Sequence, residues 1–132
     1  MKNILSILVV FSILVTAGGC GAPQQKEINV EIKADESFHL RVGQTVNLRF
    51  ESNPTTGYLW TITDKEGYDA LKRMGDYKYI PSSGRVGSGG IQIYTFEGAK
   101  RGKVTLVFEY RRPWEPLTTP AARKYTVRID VH

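Results

Sequence analysis

An all-β sandwich is the fold class that this sequence predicts, and a closed barrel is the alternative. The first observation is that apolar and polar residues alternate in short runs from residue 28 almost to residue 132. The second is that clusters of Gly, Pro, Asn and Ser separate these runs, as turns do. The third is that almost no stretch has the spacing of an amphipathic helix. Together they predict an antiparallel sandwich of about seven to eight strands.

The predicted strands each place one set of side chains inward and the other outward. Trp60, near the start of the fourth run, is the expected core aromatic residue between the two sheets. Residues 64–75 are ambiguous, because they fit either a single helical turn or an irregular connection. In chain order the strands are predicted at residues 28–33, 38–42, 45–51, 58–63, 77–80, 91–96, 104–110 and 125–131.

The composition is that of a soluble domain with its own core. Of the 132 residues, 41% are hydrophobic, which is ordinary for a globular protein. The formal charge is +5 and the pI about 9.4, yet basic and acidic residues are interleaved along the chain. A mixed, solvated surface fits this pattern better than a nucleic-acid-binding face. Because Cys20 is the single cysteine, no intramolecular disulfide can form and the core alone must stabilise the fold.

The N-terminal residues have the features of a secretion signal peptide. Lys2 supplies a positive charge, and residues 4–15 form an apolar run that is too short to span a bilayer comfortably. The chain therefore divides into a signal peptide at residues 1–19, a polar tether at 20–26 and a folded domain at 27–132.

Small residues precede Cys20, and this arrangement resembles the lipobox of bacterial lipoproteins. Ala17 stands where the lipobox usually has a larger aliphatic residue. The resemblance implies that Cys20 is acylated and that the protein is exported and lipid-anchored to the bacterial cell envelope, on its periplasmic or cell-surface face. The alternative is a soluble export signal that is cut near residues 17–19 and leaves a free thiol.

A stiff polar loop joins the third and fourth predicted strands. Asn53 can cap a turn, Pro54 fixes its own φ, and Gly57 permits a positive φ. Thr55 and Thr56 bring two hydroxyls near the tip. A plain inter-strand turn is the alternative interpretation. This first loop consists of Asn53, Pro54, Thr55, Thr56, Gly57 and Tyr58.

Two later loops also have unusual composition. The second loop, Gly87, Ser88, Gly89 and Gly90, ends a Gly- and Ser-rich stretch that is otherwise typical of plain flexibility. The third loop is Arg112, Pro113 and Trp114. Trp and Arg are enriched at binding hot spots, and proline lowers the entropy that the loop loses on binding. The alternative is that the third loop folds its tryptophan back onto the sandwich.

The order of the strands predicts where these loops lie. In an Ig-like sandwich the connections between strands B and C, D and E, and F and G emerge at one end. The first, second and third loops occupy those connections. We therefore expect an Ig-like sandwich without the Ig disulfide, with the three loops clustered on one edge as a recognition surface.

In this order and spacing the three loops resemble the chagasin family of cysteine peptidase inhibitors. The family's Asn-Pro-Thr-Thr-Gly-Tyr motif is complete at residues 53–58 and is followed by Trp60. Its Gly-x-Gly-Gly motif stands at residues 87–90, and its Arg-Pro-Trp motif at residues 112–114. The resemblance covers the chain from about residue 27 onward. Each motif alone is weak, whereas the three together on an all-β pattern are specific.

The resemblance implies reversible, tight inhibition of papain-like cysteine peptidases by three loops that form a wedge in the active-site cleft. Thr55 and Thr56 would lie over the catalytic cysteine, the second loop along the cleft, and Trp114 on the primed side. It implies a monomer that needs no cofactor and whose partner is the peptidase rather than nucleic acid. Arg111 adds a basic residue to the third loop and residues 115–122 give no specific signal, so either would alter target preference.

Other function classes fit the residues less well. An enzyme is disfavoured, because the two histidines, His39 and His132, belong to no recognisable catalytic set and the carboxylates are scattered. No Cys/His cluster has metal-ligand spacing. A surface adhesion or carbohydrate-binding sandwich could use Trp114 and Tyr58 as stacking platforms, but it gives no reason for the first loop. A structural envelope lipoprotein explains none of the three loops.

Overall fold

The computed structural model describes residues 26–132. The predicted signal peptide, Cys20 and all of the predicted tether but its last residue lie outside the described residues. Within the described residues, no helix is long and apolar enough to cross a membrane.

The described residues form strands and two short 3₁₀ turns. The turns are Pro54–Thr56, in the first loop, and Tyr68–Ala70, in the ambiguous stretch where a helical turn was one of two expectations. The nine strands are β1 (Ile28–Glu31), β2 (Glu36–Leu40), β3 (Thr45–Ser52), β4 (Leu59–Glu66), β5 (Leu71–Arg73), β6 (Lys78–Pro81), β7 (Gly90–Gly98), β8 (Gly102–Arg111) and β9 (Arg123–Val131).

Two sheets pack face to face. One has the order β1-β3-β7-β5, with β6 also paired to β7, and the other has the order β2-β9-β8-β4. These orders correspond to the A-B-E-D and C-F-G sheets of an Ig-like domain, with the first Ig strand divided between them. The prediction of an all-β, Ig-like sandwich is therefore confirmed.

Two details differ from the predicted antiparallel arrangement of seven to eight strands. β1 pairs with β3 and β2 pairs with β9 in parallel, because the first part of the chain runs in one direction and changes sheets between β1 and β2. The ninth strand is β5, which follows the 3₁₀ turn Tyr68–Ala70 and pairs with β7. A strand of three residues is too short to show the alternation on which the sequence prediction depends.

The inward faces of the two sheets enclose one hydrophobic core. Trp60 is buried as predicted, with its ring 4.9 Å from the ring of Phe50, which in turn lies 4.6 Å from that of Phe108. The fully buried core side chains of the strands are Leu40, Val46, Leu48, Phe50, Trp60, Phe96, Val104, Leu106, Phe108, Val127 and Ile129. Burial of this apolar surface stabilises the fold without a disulfide.

A glutamine also points into this core. Gln92, on β7, is fully buried, and its Oε1 accepts a hydrogen bond of 3.0 Å from the backbone N–H of Trp60 on β4. Its Nε2 donates to the carbonyl oxygen of the same residue at 2.9 Å. The amide thus satisfies both backbone groups of Trp60 and joins the two sheets directly below the first loop.

We expect Gln92→Leu to lower the free energy of unfolding by about 1–3 kcal/mol, because it leaves the backbone N–H of Trp60 buried and unpaired. Urea unfolding followed by tryptophan fluorescence measures the change. Gln44→Leu is the matched control, since Gln44 forms its hydrogen bonds at an exposed turn where water replaces them. Equal unfolding midpoints for the two variants would show that Gln92 does not bridge the sheets.

Candidate functional site

Asn53 organises the first loop. The backbone N–H groups of Thr56 and Gly57 donate to the carbonyl oxygens of Asn53 (3.1 Å) and Pro54 (2.9 Å), which closes a tight turn. The hydroxyls of Thr55 and Thr56 donate to Oδ1 (2.5 Å) and the carbonyl oxygen (2.6 Å) of Asn53. Gly57 has a φ of 83°, so its predicted positive φ is confirmed. The prediction that the Asn53 side chain caps the turn is wrong, because its Oδ1 accepts from a threonine hydroxyl instead of a backbone N–H.

The amide of Asn53 connects the first loop to the second. Its Nδ2 donates a hydrogen bond of 3.1 Å to the carbonyl oxygen of Gly87, and its backbone N–H donates to the hydroxyl of Tyr110 at 2.9 Å. Gly90, at the end of the second loop, has no room for a side chain, because a Cβ there would lie 2.7 Å from the Tyr79 hydroxyl and 2.8 Å from Cα of Pro81. The second loop is therefore fixed at one end by packing and joined to the first by a hydrogen bond.

The third loop contacts the other side of the first loop. The guanidinium of Arg112 lies 4.7 Å above the ring of Tyr58, and its Nε donates to the carbonyl oxygen of Thr56 at 3.4 Å. The Trp114 ring lies against Gly57, where any Cβ would overlap the indole, with Cζ2 only 3.1 Å away. Trp114 is nevertheless 70% exposed, so the third loop presents its tryptophan instead of folding it back onto the sandwich.

These contacts place all three loops on one edge, as the strand order predicts. The first loop lies in the middle, with the second on one side and the third on the other. A cleft of about 290 Å³ lies between the first and second loops, with Ser52, Asn53, Ser88, Gly89 and Arg123 in its walls. The volume is at the lower limit for a drug-sized ligand. The exposed features of the edge are hydroxyls, backbone groups, guanidinium groups and one indole.

The chemistry of this edge is that of recognition. Among residues 26–132, two side chains have clearly displaced pKa values, and both lie away from the loop edge. Burial raises the pKa of Tyr94, in the core on β7, and the hydrogen bond to Lys100 lowers the pKa of Asp69. In the part of the chain that the structure describes, no group of His, Cys, Asp and Glu side chains could hold a metal ion.

Residues 39–129 match the family model described as "Chagasin family peptidase inhibitor I42". The match spans well over half of the chain and includes all three loops. The chain belongs to the chagasin family of peptidase inhibitors. The hypothesis that it is an inhibitor and not an enzyme is thereby confirmed, and the adhesion and carbohydrate-binding alternative loses its support.

Individual chagasin-family proteins are similar over most of the domain. Amoebiasin-1 of Entamoeba histolytica is 30% identical over 89 residues, which are 67% of this chain and 83% of that protein. Chagasin of Trypanosoma cruzi is 28% identical over 96 residues, which are 69% of this chain and 84% of that protein. The crystal structure of the cysteine protease inhibitor EhICP2 from Entamoeba histolytica superposes with a TM-score of 0.69 at 26% identity, covering 83% of this chain and 99% of that one.

A column of aromatic rings connects the chagasin-family loops to the core. The ring of Tyr58 lies 5.3 Å from that of Tyr110, which lies 5.1 Å from Trp60, and Trp60 lies 5.0 Å from Tyr125. Because Arg112 stacks on the outer face of Tyr58, the column begins at the third loop and ends between the sheets. The two stacked pairs, Tyr110–Trp60 and Trp60–Tyr125, each add about 0.5–1.5 kcal/mol beyond the area they bury.

Sequence reasoning overlooked three residues that support the loops. Tyr110 holds the backbone of Asn53, and Gln92 holds Trp60. Arg111 was expected to be an extra basic residue of the third loop, but it is the last residue of β8 and only 4% exposed. One signal was available for Gln92, since it stands at an alternate position with the aromatic residues of its strand.

Proposed function

We propose that this chagasin-family protein inhibits papain-like cysteine peptidases by placing its three loops across their active-site cleft. The observation that carries the proposal is that one edge presents the three motif loops bonded to one another, with Trp114 exposed beside a compact first loop. The similar EhICP2 of Entamoeba histolytica is itself a cysteine protease inhibitor.

The first loop would occlude the catalytic cysteine without being cleaved. Peptidases bind their substrates in an extended conformation, whereas residues 54–56 form a 3₁₀ turn closed by two backbone hydrogen bonds. The hydroxyls of Thr55 and Thr56 are held by Asn53, so the turn has little freedom to unwind into the cleft. A compact loop of this kind offers no carbonyl carbon in line with an attacking thiolate.

The flanking loops would supply affinity. The second loop would lie along the cleft through Gly87, Ser88, Gly89 and Gly90, where the small residues allow close approach of the two backbones. On the other side, Trp114 would pack against aromatic side chains on the primed side, with Arg112 and Pro113 fixing its orientation. Because the loops are already bonded together, little conformational entropy is lost on binding.

Titration of residues 26–132 into papain and a cathepsin L-type peptidase tests the proposal, with a serine protease as the control. Residues 26–132 are suitable for this assay because the alignment with EhICP2 covers 99% of the EhICP2 chain, which therefore consists almost entirely of this domain. We expect reversible, stoichiometric loss of the two cysteine peptidase activities and no effect on the serine protease. Retained activity of both cysteine peptidases at micromolar inhibitor would contradict the proposal.

We also propose that the protein is exported and anchored to the bacterial cell envelope through acylated Cys20. The supporting observations are the apolar run at residues 4–15 and the small residues before the single cysteine. Two or three acyl chains bury enough methylenes to hold a domain firmly on a membrane.

For this anchor, we expect the full chain expressed in a bacterium to fractionate with membranes, and Cys20→Ser to release it into the soluble exported fraction. Partition into detergent and intact mass measure the acylation. Ala17→Leu restores the usual lipobox residue and serves as the matched control. A soluble exported product that retains a free thiol at Cys20 would favour the alternative, an ordinary export signal.

A further inference from the structure

Residues 112–119 form two consecutive β-turns. The first turn is 112–115 and the second is 116–119, each closed by a backbone hydrogen bond between its last and first residues, of 3.1 and 2.9 Å respectively. Each turn has a large apolar side chain at a central position: Trp114 in the first and Leu117 in the second. Both side chains are exposed, by 70% and 74%. The motif residue Trp114 therefore has a second exposed apolar side chain in the turn that follows its own.

Arg111 holds the second turn at both ends. Its Nη1 donates to the carbonyl oxygen of Pro116 at 3.3 Å, and its Nη2 donates to that of Thr119 at 2.8 Å. Its Nε lies 3.4 Å from Oε2 of Glu109, which is two residues earlier on β8 and so on the same face of the sheet. Residues 116–119 therefore lie over this face and cover the guanidinium.

Arg111 is buried, and its hydrogen bonds hold the turn at residues 116–119 in place. A buried guanidinium is costly unless acceptors and a counter-charge satisfy it, and the two carbonyl oxygens of the turn and the carboxylate of Glu109 supply these. The planar fork of arginine also fixes two acceptors at once, which a lysine cannot do. Leu117 is consequently an exposed apolar side chain on a hydrogen-bonded turn, so it would lose little conformational entropy on contact with a partner.

We propose that Leu117 is a second apolar anchor of the inhibitor, which contacts an apolar surface of the bound peptidase next to the one that receives Trp114. Arg111 is its positioning residue. This inference rests on the proposed function, because the partner that Leu117 would contact is the same peptidase. Leu117 continues the surface of the third loop, since only residues 115 and 116 separate it from Trp114.

Inhibition constants for papain test this inference. We expect Leu117→Ser to weaken inhibition by about tenfold, as truncation of a contact at an interface does. Val42→Ser is the matched control: it removes an exposed aliphatic side chain at the turn between β2 and β3, opposite the loop edge, and should leave the inhibition constant unchanged. Trp114→Ala is measured alongside to show that the third loop engages the enzyme.

Arg111→Lys separates positioning from general stability. It keeps the charge but loses the fork, so we expect roughly fivefold weaker inhibition at a temperature well below the unfolding midpoint, which should itself fall because the site is buried. In a Leu117→Ser background the same substitution should add nothing, because the side chain that it positions is gone.

Three outcomes would overturn the inference, in whole or in part, in distinguishable ways. If Trp114→Ala weakens inhibition and Leu117→Ser does not, the proposed function stands and Leu117 is no anchor. If the unsubstituted protein fails to inhibit papain at all, the proposed function and this inference fall together. Additive losses from Arg111→Lys and Leu117→Ser would assign Arg111 a role other than positioning Leu117.

Discussion

Trp114→Ala is expected to weaken inhibition of a papain-like peptidase by about 1–4 kcal/mol, the range of a hot-spot truncation. The indole is 70% exposed in the free protein and rests on Gly57, so its apolar surface is available to a partner. Pro113 and the turn at residues 112–115 already hold it in place, so little entropy is lost when the partner arrives.

Steady-state inhibition constants against papain measure this effect, with the fold checked by circular dichroism and urea unfolding. Stability should be almost unchanged, since the side chain contributes little to the core. Met74→Ala, which truncates an exposed side chain just after β5, serves as the control and should inhibit normally. An undiminished inhibition constant for Trp114→Ala would remove Trp114 from the contact surface.

Gly57→Val is expected to impair inhibition at least as strongly as Trp114→Ala, because it disturbs two loops at once. A β-branched residue at a φ of 83° costs about 1–3 kcal/mol of stability. Its side chain would also occupy the space of the Trp114 ring, and the exposed indole would have to move away. The first loop is thereby strained and the third loop loses its support.

Gly75→Val is the matched control for this prediction. Gly75 has a φ of 78°, and no atom lies within 4 Å of the position of an added Cβ, so the backbone strain is the same without the collision. We expect both variants to lose similar stability and only Gly57→Val to lose inhibition. Equal inhibition by the two variants would mean that contact between Gly57 and Trp114 has no functional role.

Local patterns explain why much of the fold was predictable. Alternation with a period of two identifies most strands, because successive side chains of a strand point to opposite faces. The position of Trp60 follows from this alternation and is confirmed by its burial. The turn at Gly57 is also a local matter, since glycine is the residue that adopts a positive φ without strain. The short strand β5 was not predicted, because three residues are too few to show the alternation.

The support of the loop edge depends on contacts between residues that are distant in sequence. The hydrogen bond from Asn53 to Tyr110 joins residues 57 apart, and the bond from Trp60 to Gln92 joins residues 32 apart. No local propensity encodes such a pair. Arg111 illustrates the same limit. An arginine next to a loop is expected to be exposed, but in the folded domain residues 116–119 cover it.

Local features of the chain are enough to predict the sandwich, the lack of an intramolecular disulfide and the three motif loops, since alternation, the cysteine count and turn chemistry depend only on single residues and short runs. Three further features become visible in the folded domain alone: Trp114 faces solvent, Gln92 joins the sheets, and Arg111 holds a second turn beside the third loop. Each of these depends on which surfaces meet after the sheets pack, and burial and hydrogen-bond partners exist only at that stage.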